Sequence, residues 1–303
     1  MLRVTLFLKA CLTALSVFVV SAVLVPSATA QSAPNPALWK ISDEDSTLYL
    51  FGTVHILNPT LEWRTEKVDA AFRSAETVIF EAPADQSDPA KMQALVMKYG
   101  LNPAGVTLSS KLSAESNALL AEVLTGFGMP PGAAANFEPL RPWLVGITLS
   151  ALQIQATGGD PNAGVERILS AEAGPMGKSI AYFETDEQQM QFLSGLSPDA
   201  ELYFLEDGLR QMKGNPEQLN ELVTYWQTGN VDALAALLVD ALAGQKEVYD
   251  ALLVNRNKDW ANQIEALLAG SGDIFVAVGA AHLVGADSVQ ALLEARGISA
   301  VRQ

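Results

Sequence analysis

Two apolar, β-prone runs in this chain end in the same way, and that repetition restricts the fold more than any other feature. Thr47-Leu48-Tyr49-Leu50-Phe51 runs into Gly52-Thr53-Val54-His55, and Ile274-Phe275-Val276-Ala277-Val278 runs into Gly279-Ala280-Ala281-His282. Short, nearly unbroken apolar runs are what strands buried on both faces of a sheet look like. His55 and His282 are the only 2 histidines among 303 residues. Each stands three positions beyond a glycine that ends an apolar run, where glycine permits a tight turn and close backbone approach. The pair reads as one site assembled from two distant segments.

Two further apolar runs end in a carboxylate. Residues 77–80 stop at Glu81, ahead of Ala82-Pro83, and residues 179–183 stop at Glu184. Residues 39–42 and 47–51 read as a hairpin around the acidic turn Asp43-Glu44-Asp45. Helical patterns occupy 66–75, 88–99, 113–125, 139–157 and 164–173, and then nearly everything from 197 to 269. Residues 139–157 are apolar almost all round, which predicts a central helix. Residues 245–269 read as one long helix, 289–295 as another, and 298–301 as an edge strand. Strands interleaved with helices predict an α/β fold: a central mixed β-sheet flanked by helices, with a large helical insertion.

Four strands therefore end in His55, Glu81, Glu184 and His282, and sheets of this class gather functional groups beyond the carboxyl ends of their strands. Two imidazoles with one or two carboxylates suit a divalent Zn, Mn, Co or Fe ion. Such an ion lowers the pKa of water to about 7 and polarises a carbonyl, leaving a carboxylate to act as base. Arg256 lies on the apolar stripe of its helix between Leu252 and Trp260, with Asn257 beside it. An arginine there is costly unless a carboxylate pairs with it, and it can then stabilise an oxyanion. The plainer alternatives are exposed edge glutamates, an arginine that snorkels to water, and Glu166 as a residue of a solvated helix face. No His-Glu-x-x-His and no Gly-x-Ser-x-Gly occurs, and two histidines cannot make a three-His zinc site. Gly174-Pro175-Met176-Gly177-Lys178-Ser179 is two residues too short for a phosphate loop and precedes a strand, so it reads as a turn.

Residues 1–30 combine Arg3 and Lys9, an apolar stretch and a closing Ala28-Thr29-Ala30, the three regions of a signal peptide cleaved before Gln31. The apolar stretch is short for a membrane anchor. Cleavage would leave a single domain over 31–303 without Cys11, the lone cysteine, and so without thiol chemistry. Export without cysteines suits a bacterial periplasm or the cell exterior. The chain carries a net charge of −15, and loss of Arg3 and Lys9 takes it to −17. Such a chain repels nucleic acid and anionic membrane surfaces.

Over nearly the whole of 31–303 the chain resembles the TraB/PrgY/GumN family, which includes the Tiki proteases, and its bacterial GumN-like branch in particular. The resemblance rests on Leu38-Trp39, Phe51 to His55, Phe80-Glu81, Pro142-Trp143, Gly164-Val165-Glu166, Glu184-Thr185, Gln188, Arg256-Asn257, Trp260 and Val278 to Gly285. It implies a fold related to the erythromycin-esterase/ChaN-like group and a divalent-metal-dependent peptidase, with Mn or Co in the Tiki branch. His55, Glu81 and His282 then correspond to the metal or catalytic centre, with Glu184, Arg256 and Asn257 close by. The expectation is an exported metallohydrolase acting on a peptide or protein substrate with Mn, Co or Zn. The rivals are an esterase-type hydrolase using histidine as base without metal, and a non-enzymatic haem- or metal-binding protein.

Overall fold

Strands form where the apolar runs are. β1 (Leu38–Ser42) and β2 (Ser46–Thr53) make an antiparallel hairpin with Leu38 opposite Phe51 and Ser42 opposite Thr47. Asp43 closes the turn by accepting from the Ser46 N–H at 2.8 Å, the local bonding that suits aspartate to turns. β3 (Thr77–Phe80), β4 (Ser179–Tyr182), β5 (Gly272–Gly279) and β6 (Val301–Arg302) complete a six-stranded sheet in the order β4-β3-β5-β2-β1-β6. The first four of that order run parallel, and β1 and β6 are antiparallel to their neighbours. The sheet is therefore mixed, as the sequence predicts. The computed structural model describes residues 33–83, 88–215 and 217–303. The predicted leader, 1–30, lies outside the described residues.

Alternation along the strands divides the core in two. Phe51, Phe275 and Ala277 turn to one face, where they meet Phe72 of α1 (Glu66–Ser74) together with Trp63. Leu48, Leu50, Val276 and Val278 turn to the other face. Residues between β3 and β4 form α2 (Pro89–Tyr99), α3 (Leu108–Lys111), α4 (Ala114–Gly126), α5 (Pro142–Ala156) and α6 (Val165–Ala173). Between β4 and β5 come α7 (Asp186–Ser194), α8 (Pro198–Gly214), α9 (Gln218–Thr228), α10 (Val231–Ala243), α11 (Lys246–Tyr249) and α12 (Asn255–Leu268); α13 (Val289–Glu294) follows β5. Leu169 of α6, with Trp226 and Leu234 of α9 and α10, covers the first face; Trp260 and Ile264 of α12, with Leu293 of α13, cover the second. α4, α5 and α8 enclose a separate core around Leu120, Val145, Leu149 and Leu205, which is the helical insertion. No helix among the described residues is long and apolar enough to cross a membrane.

Three expectations change. α5 is not central: it packs on α8 through Val145 and Leu149, while Ile147 on its other side is 42% exposed. Residues 245–269 are not one uniform helix, because a π-helical turn at Asp250–Val254 separates α11 from α12. The last strand is only Val301–Arg302, since 298–300 come before its pairing with β1 begins.

In the parallel part of the sheet, Gly52 lies opposite Val278, Thr53 opposite Gly279, and Phe80 opposite both Ala277 and Tyr182. The four strands thus end nearly level, at one edge. Gly164, which leads into α6, is packed against the loop beyond β2: a Cβ there would lie 2.1 Å from the His55 carbonyl oxygen. Its φ of −59° and ψ of 141° are open to alanine, so Gly164→Ala isolates the collision from any backbone preference. The substitution is expected to lower stability by about 1–3 kcal/mol, measured by urea denaturation; an unchanged midpoint would show that the α6 contact yields without cost.

Candidate functional site

The edge where the strands end is charged and buried. Glu81 and Glu184 follow β3 and β4, and their backbones stay paired through a 3.0 Å bond from the Glu184 N–H to the Glu81 carbonyl. Their side chains are only 11% and 3% exposed. Arg256 of α12 lies between them. Its Nε donates to Glu184 Oε1 and its Nη2 to Glu184 Oε2, both at 2.8 Å, and Nη2 also reaches Glu81 Oε1. Trp260 Nε1 donates to Glu184 Oε1 at 2.9 Å, and Gln189 Nε2 to Glu81 Oε1 at 2.8 Å. The guanidinium also lies over the rings of Phe192 and Trp260, 5.2 and 5.0 Å from their centroids. The π turn ahead of α12 belongs to this arrangement: downstream of it, Arg256, Asn257, Trp260 and Ile264 all face inward.

Burial alone would raise the Glu81 pKa, but Arg256, with His282 and His55 behind it, outweighs that and holds it at about 2. Glu184 moves the other way: burial pushes its pKa up against the pull of Arg256.

The two histidines lie on the β5 and β2 side of Glu81 and are held differently. His282, on the turn after β5, lies against Trp260 with ring centroids 4.3 Å apart and planes tilted by 41°. Its Nδ1 meets Asn257 Oδ1 at 2.5 Å, and the Asn257 amide nitrogen donates to the Asp287 carbonyl at 2.7 Å. That second bond fixes which end of the amide faces the ring, so Nδ1 carries the proton and Nε2 is a lone pair. Burial lowers the His282 pKa to about 3, and the ring is neutral. His55 is held through Nδ1 by Glu166 Oε1 at 2.7 Å, and Thr53 donates to the same oxygen. Glu166 raises the His55 pKa to about 9, ahead of the opposing effect of burial. The side chain is still 65% exposed, because the crevice surrounds the ring without covering it. The direction of the shift, towards an imidazolium at neutral pH, therefore rests on Glu166.

Gly279 stands among these groups. A Cβ there would lie 3.3 Å from Glu81 Oε2, 3.5 Å from His282 Cδ2 and 3.7 Å from His55 Nε2, and the Gly279 N–H donates to Glu81 Oε2 at 3.2 Å. With φ −49° this glycine serves close approach and not a left-handed turn. Gly52 does the same on β2, where a Cβ would lie 3.2 Å from Ala280 Cα.

Acceptors outnumber donors here. His282 Nε2, a lone pair, faces the anionic Glu81 Oε2 at 4.0 Å. Glu166 Oε2 is buried with no hydrogen-bond partner. Two acceptors 4.0 Å apart, and separately a carboxylate oxygen of Glu166 without a partner, suit a positively polarised atom. A divalent cation fits this set in kind: His282 offers Nε2 with its other nitrogen fixed by Asn257, and His55 offers Nε2 with Glu166 behind it, the outer partner that metal-bound histidines use. In spacing the set is open, for among the described residues no three His, Cys, Asp or Glu side chains are gathered closely enough to hold an ion as they stand.

Glu81, Glu184, Arg256, Asn257 and His282 are joined by these contacts, and His55, bonded to Glu166, meets them beside Gly279. The sequence reading sets Glu166 aside as a residue of a solvated helix face and gives no role to Thr53 or Gln189. Glu166 carried one signal, its place in Gly164-Val165-Glu166 at the start of a helix; Gln189 carried none. The open crevice has a volume of about 290 Å³ and is lined by His55, Phe80, Glu81, Ala82, Pro161, Glu166, Arg167 and Gln189. No curated protein and no solved structure matches the chain. Residues 37–302 match the model of the TraB/PrgY/gumN family, which covers both histidine motifs, the sheet and the helices that carry Glu166 and Arg256, and the chain belongs to that family.

Proposed function

We propose that this chain is an exported hydrolase that cleaves amide bonds in peptides with the help of a divalent metal ion, Mn, Co or Zn. One observation carries the reading: the neighbouring parallel strands β5 and β2 bring two imidazoles to the buried, ionised Glu81 at the end of β3, and the lone pair of one of them faces that carboxylate. His55 Nε2, His282 Nε2 and Glu81 Oε2 would hold the ion. When bound, it supplies Lewis-acid polarisation of the scissile carbonyl and brings the pKa of water to about 7.

The remaining roles follow from which atoms are free. Glu184 has both oxygens committed to Arg256 and Trp260, so it anchors Arg256 and is no base. Arg256 makes bonds to Glu81, to Glu184 twice and to the Leu252 carbonyl, so it holds the carboxylates and does not turn outward to an oxyanion. Glu166 lines the crevice, and its buried Oε2 is the carboxylate oxygen left without a partner. It takes the proton of the attacking water and returns it to the departing amine, leaving a carboxylate and an amine as products. Asn257 and Glu166 orient the two rings.

The metal-free esterase reading has the His55–Glu166 pair in its favour, since a carboxylate behind an imidazole orients it as a base. The same contact keeps His55 protonated at neutral pH, which counts against it.

Purified protein is expected to contain a divalent ion, and turnover of a peptide library is expected to stop with chelator and return with Mn, Co or Zn. His282→Ala should lower turnover at least about 100-fold while the fold persists by circular dichroism. Bound metal with no turnover would leave a binding protein; turnover by metal-free protein, indifferent to chelator, would establish the esterase route instead. Arg256→Met leaves two buried carboxylates without their cation and is expected to cost about 3–5 kcal/mol in urea denaturation. A loss below about 1 kcal/mol would mean that the carboxylates find another partner or take up protons freely.

A further inference from the structure

The crevice holds one cation that the chemistry above does not use. Arg167 lines it beside His55, Glu81 and Glu166, and is exposed. No hydrogen bond or ion pair engages its guanidinium among the described residues, whereas Arg64, Arg141, Arg256 and Arg296 each bond a carboxylate. A guanidinium with its fork open, next to a crevice lined by Glu81 and Glu166, is unusual in a chain of net charge −15, where carboxylates abound. Its position adds no helical stability either. α6 begins at Val165 behind Gly164, which gives no side-chain cap, so Arg167 sits in the first turn. A cation there opposes the helix dipole. What the position does provide is a planar pair of donors at the rim of the crevice, the geometry that matches a carboxylate.

From this we infer that Arg167 is a specificity residue that anchors a substrate carboxylate, and that the crevice takes short peptides carrying one close to the cleaved bond. The inference rests on reading the crevice as a substrate site and names the substrate that the site selects. The volume supports a small guest: about 290 Å³ is at the lower limit for ligand pockets and accommodates the end of a peptide better than the middle of a long chain. Charge supports an anionic one. Glu81 and Glu166 repel an anion, and since Arg256 and Gln189 are already engaged, Arg167 supplies the attraction that seats it at the rim. The carboxylate is either the terminal group of a peptide or an acidic side chain, and the test separates these sources.

Binding of N-acetylated tetrapeptides to the intact protein is measured by calorimetry. One probe has a free C-terminal carboxylate, one ends in an amide, and one ends in an amide but carries an internal glutamate. At least one carboxylate probe is expected to bind roughly tenfold more tightly than the neutral amide, the effect of one charge-assisted contact. Preference for the first probe identifies the terminal group, and preference for the third identifies a side chain. Arg167→Gln should abolish the preference and Arg167→Lys should retain part of it, with melting temperatures unchanged. Equal binding of all three probes, no binding of any, or a preference that survives in Arg167→Gln overturns the inference. Selectivity is read here without turnover, so a protein that discriminates but hydrolyses nothing would refute the hydrolase and leave the carboxylate anchor standing.

Discussion

The buried contact of Arg256 with Glu81 and Glu184 is the interaction on which the rest of the site depends. Two carboxylates at the ends of adjacent parallel strands would repel each other and, once removed from water, take up protons. Arg256 prevents that at Glu81, which remains an anion with a pKa of about 2 although it is buried. The cation is itself held on two ring faces and by the Leu252 carbonyl, so its position is set by packing as much as by charge. The outcome is an anion with one oxygen bound by Arg256 and Gln189 and the other turned, past the Gly279 amide, towards the two imidazoles. A negative charge fixed in position before any ligand arrives favours a cation-dependent or proton-transferring site.

Much of this was legible because burial is expensive for charge. A glutamate directly after an apolar run, or an arginine within an apolar stripe, has few inexpensive explanations, so Glu81, Glu184 and Arg256 stood out. Glu166 did not, because a glutamate in the first turn of a helix is ordinary: the dipole favours it whether or not it does anything else. Its bond to His55 depends on α6 starting under the loop after β2, a tertiary fact that no local pattern records. The π turn was hidden for a related reason. The stripe Leu252, Leu253, Trp260, Ile264 continues across it, and one wider turn leaves no trace in composition. α5 misled in the opposite sense, since an all-round apolar surface predicts burial and yet Ile147 is exposed.

The repeated glycine-to-histidine motif invites the idea that its copies are equivalent, and the surroundings show that they are not. His282 rests on an indole and shares Nδ1 with an amide, an environment that keeps it neutral; His55 stands in the open crevice with a carboxylate at Nδ1, which favours the cation. Identical spacing thus places two imidazoles side by side with opposite preferences for a proton. The resting site then sets a donor and an acceptor near Glu81. Were the two rings to hold an ion together, only Nε2 of His55 would have a proton to give up, and its exposure lets water carry that proton away.

Strand order explains why such a site forms at all. β5 comes late in the chain, yet it is inserted between β2 and β3, and it brings both the central apolar strand of the sheet and His282. Until it docks, Phe51 and Phe72 lack their shared partner Phe275, and Glu81 lacks the Gly279 amide. The contacts that complete the core are therefore the contacts that complete the site, and they join segments far apart in sequence.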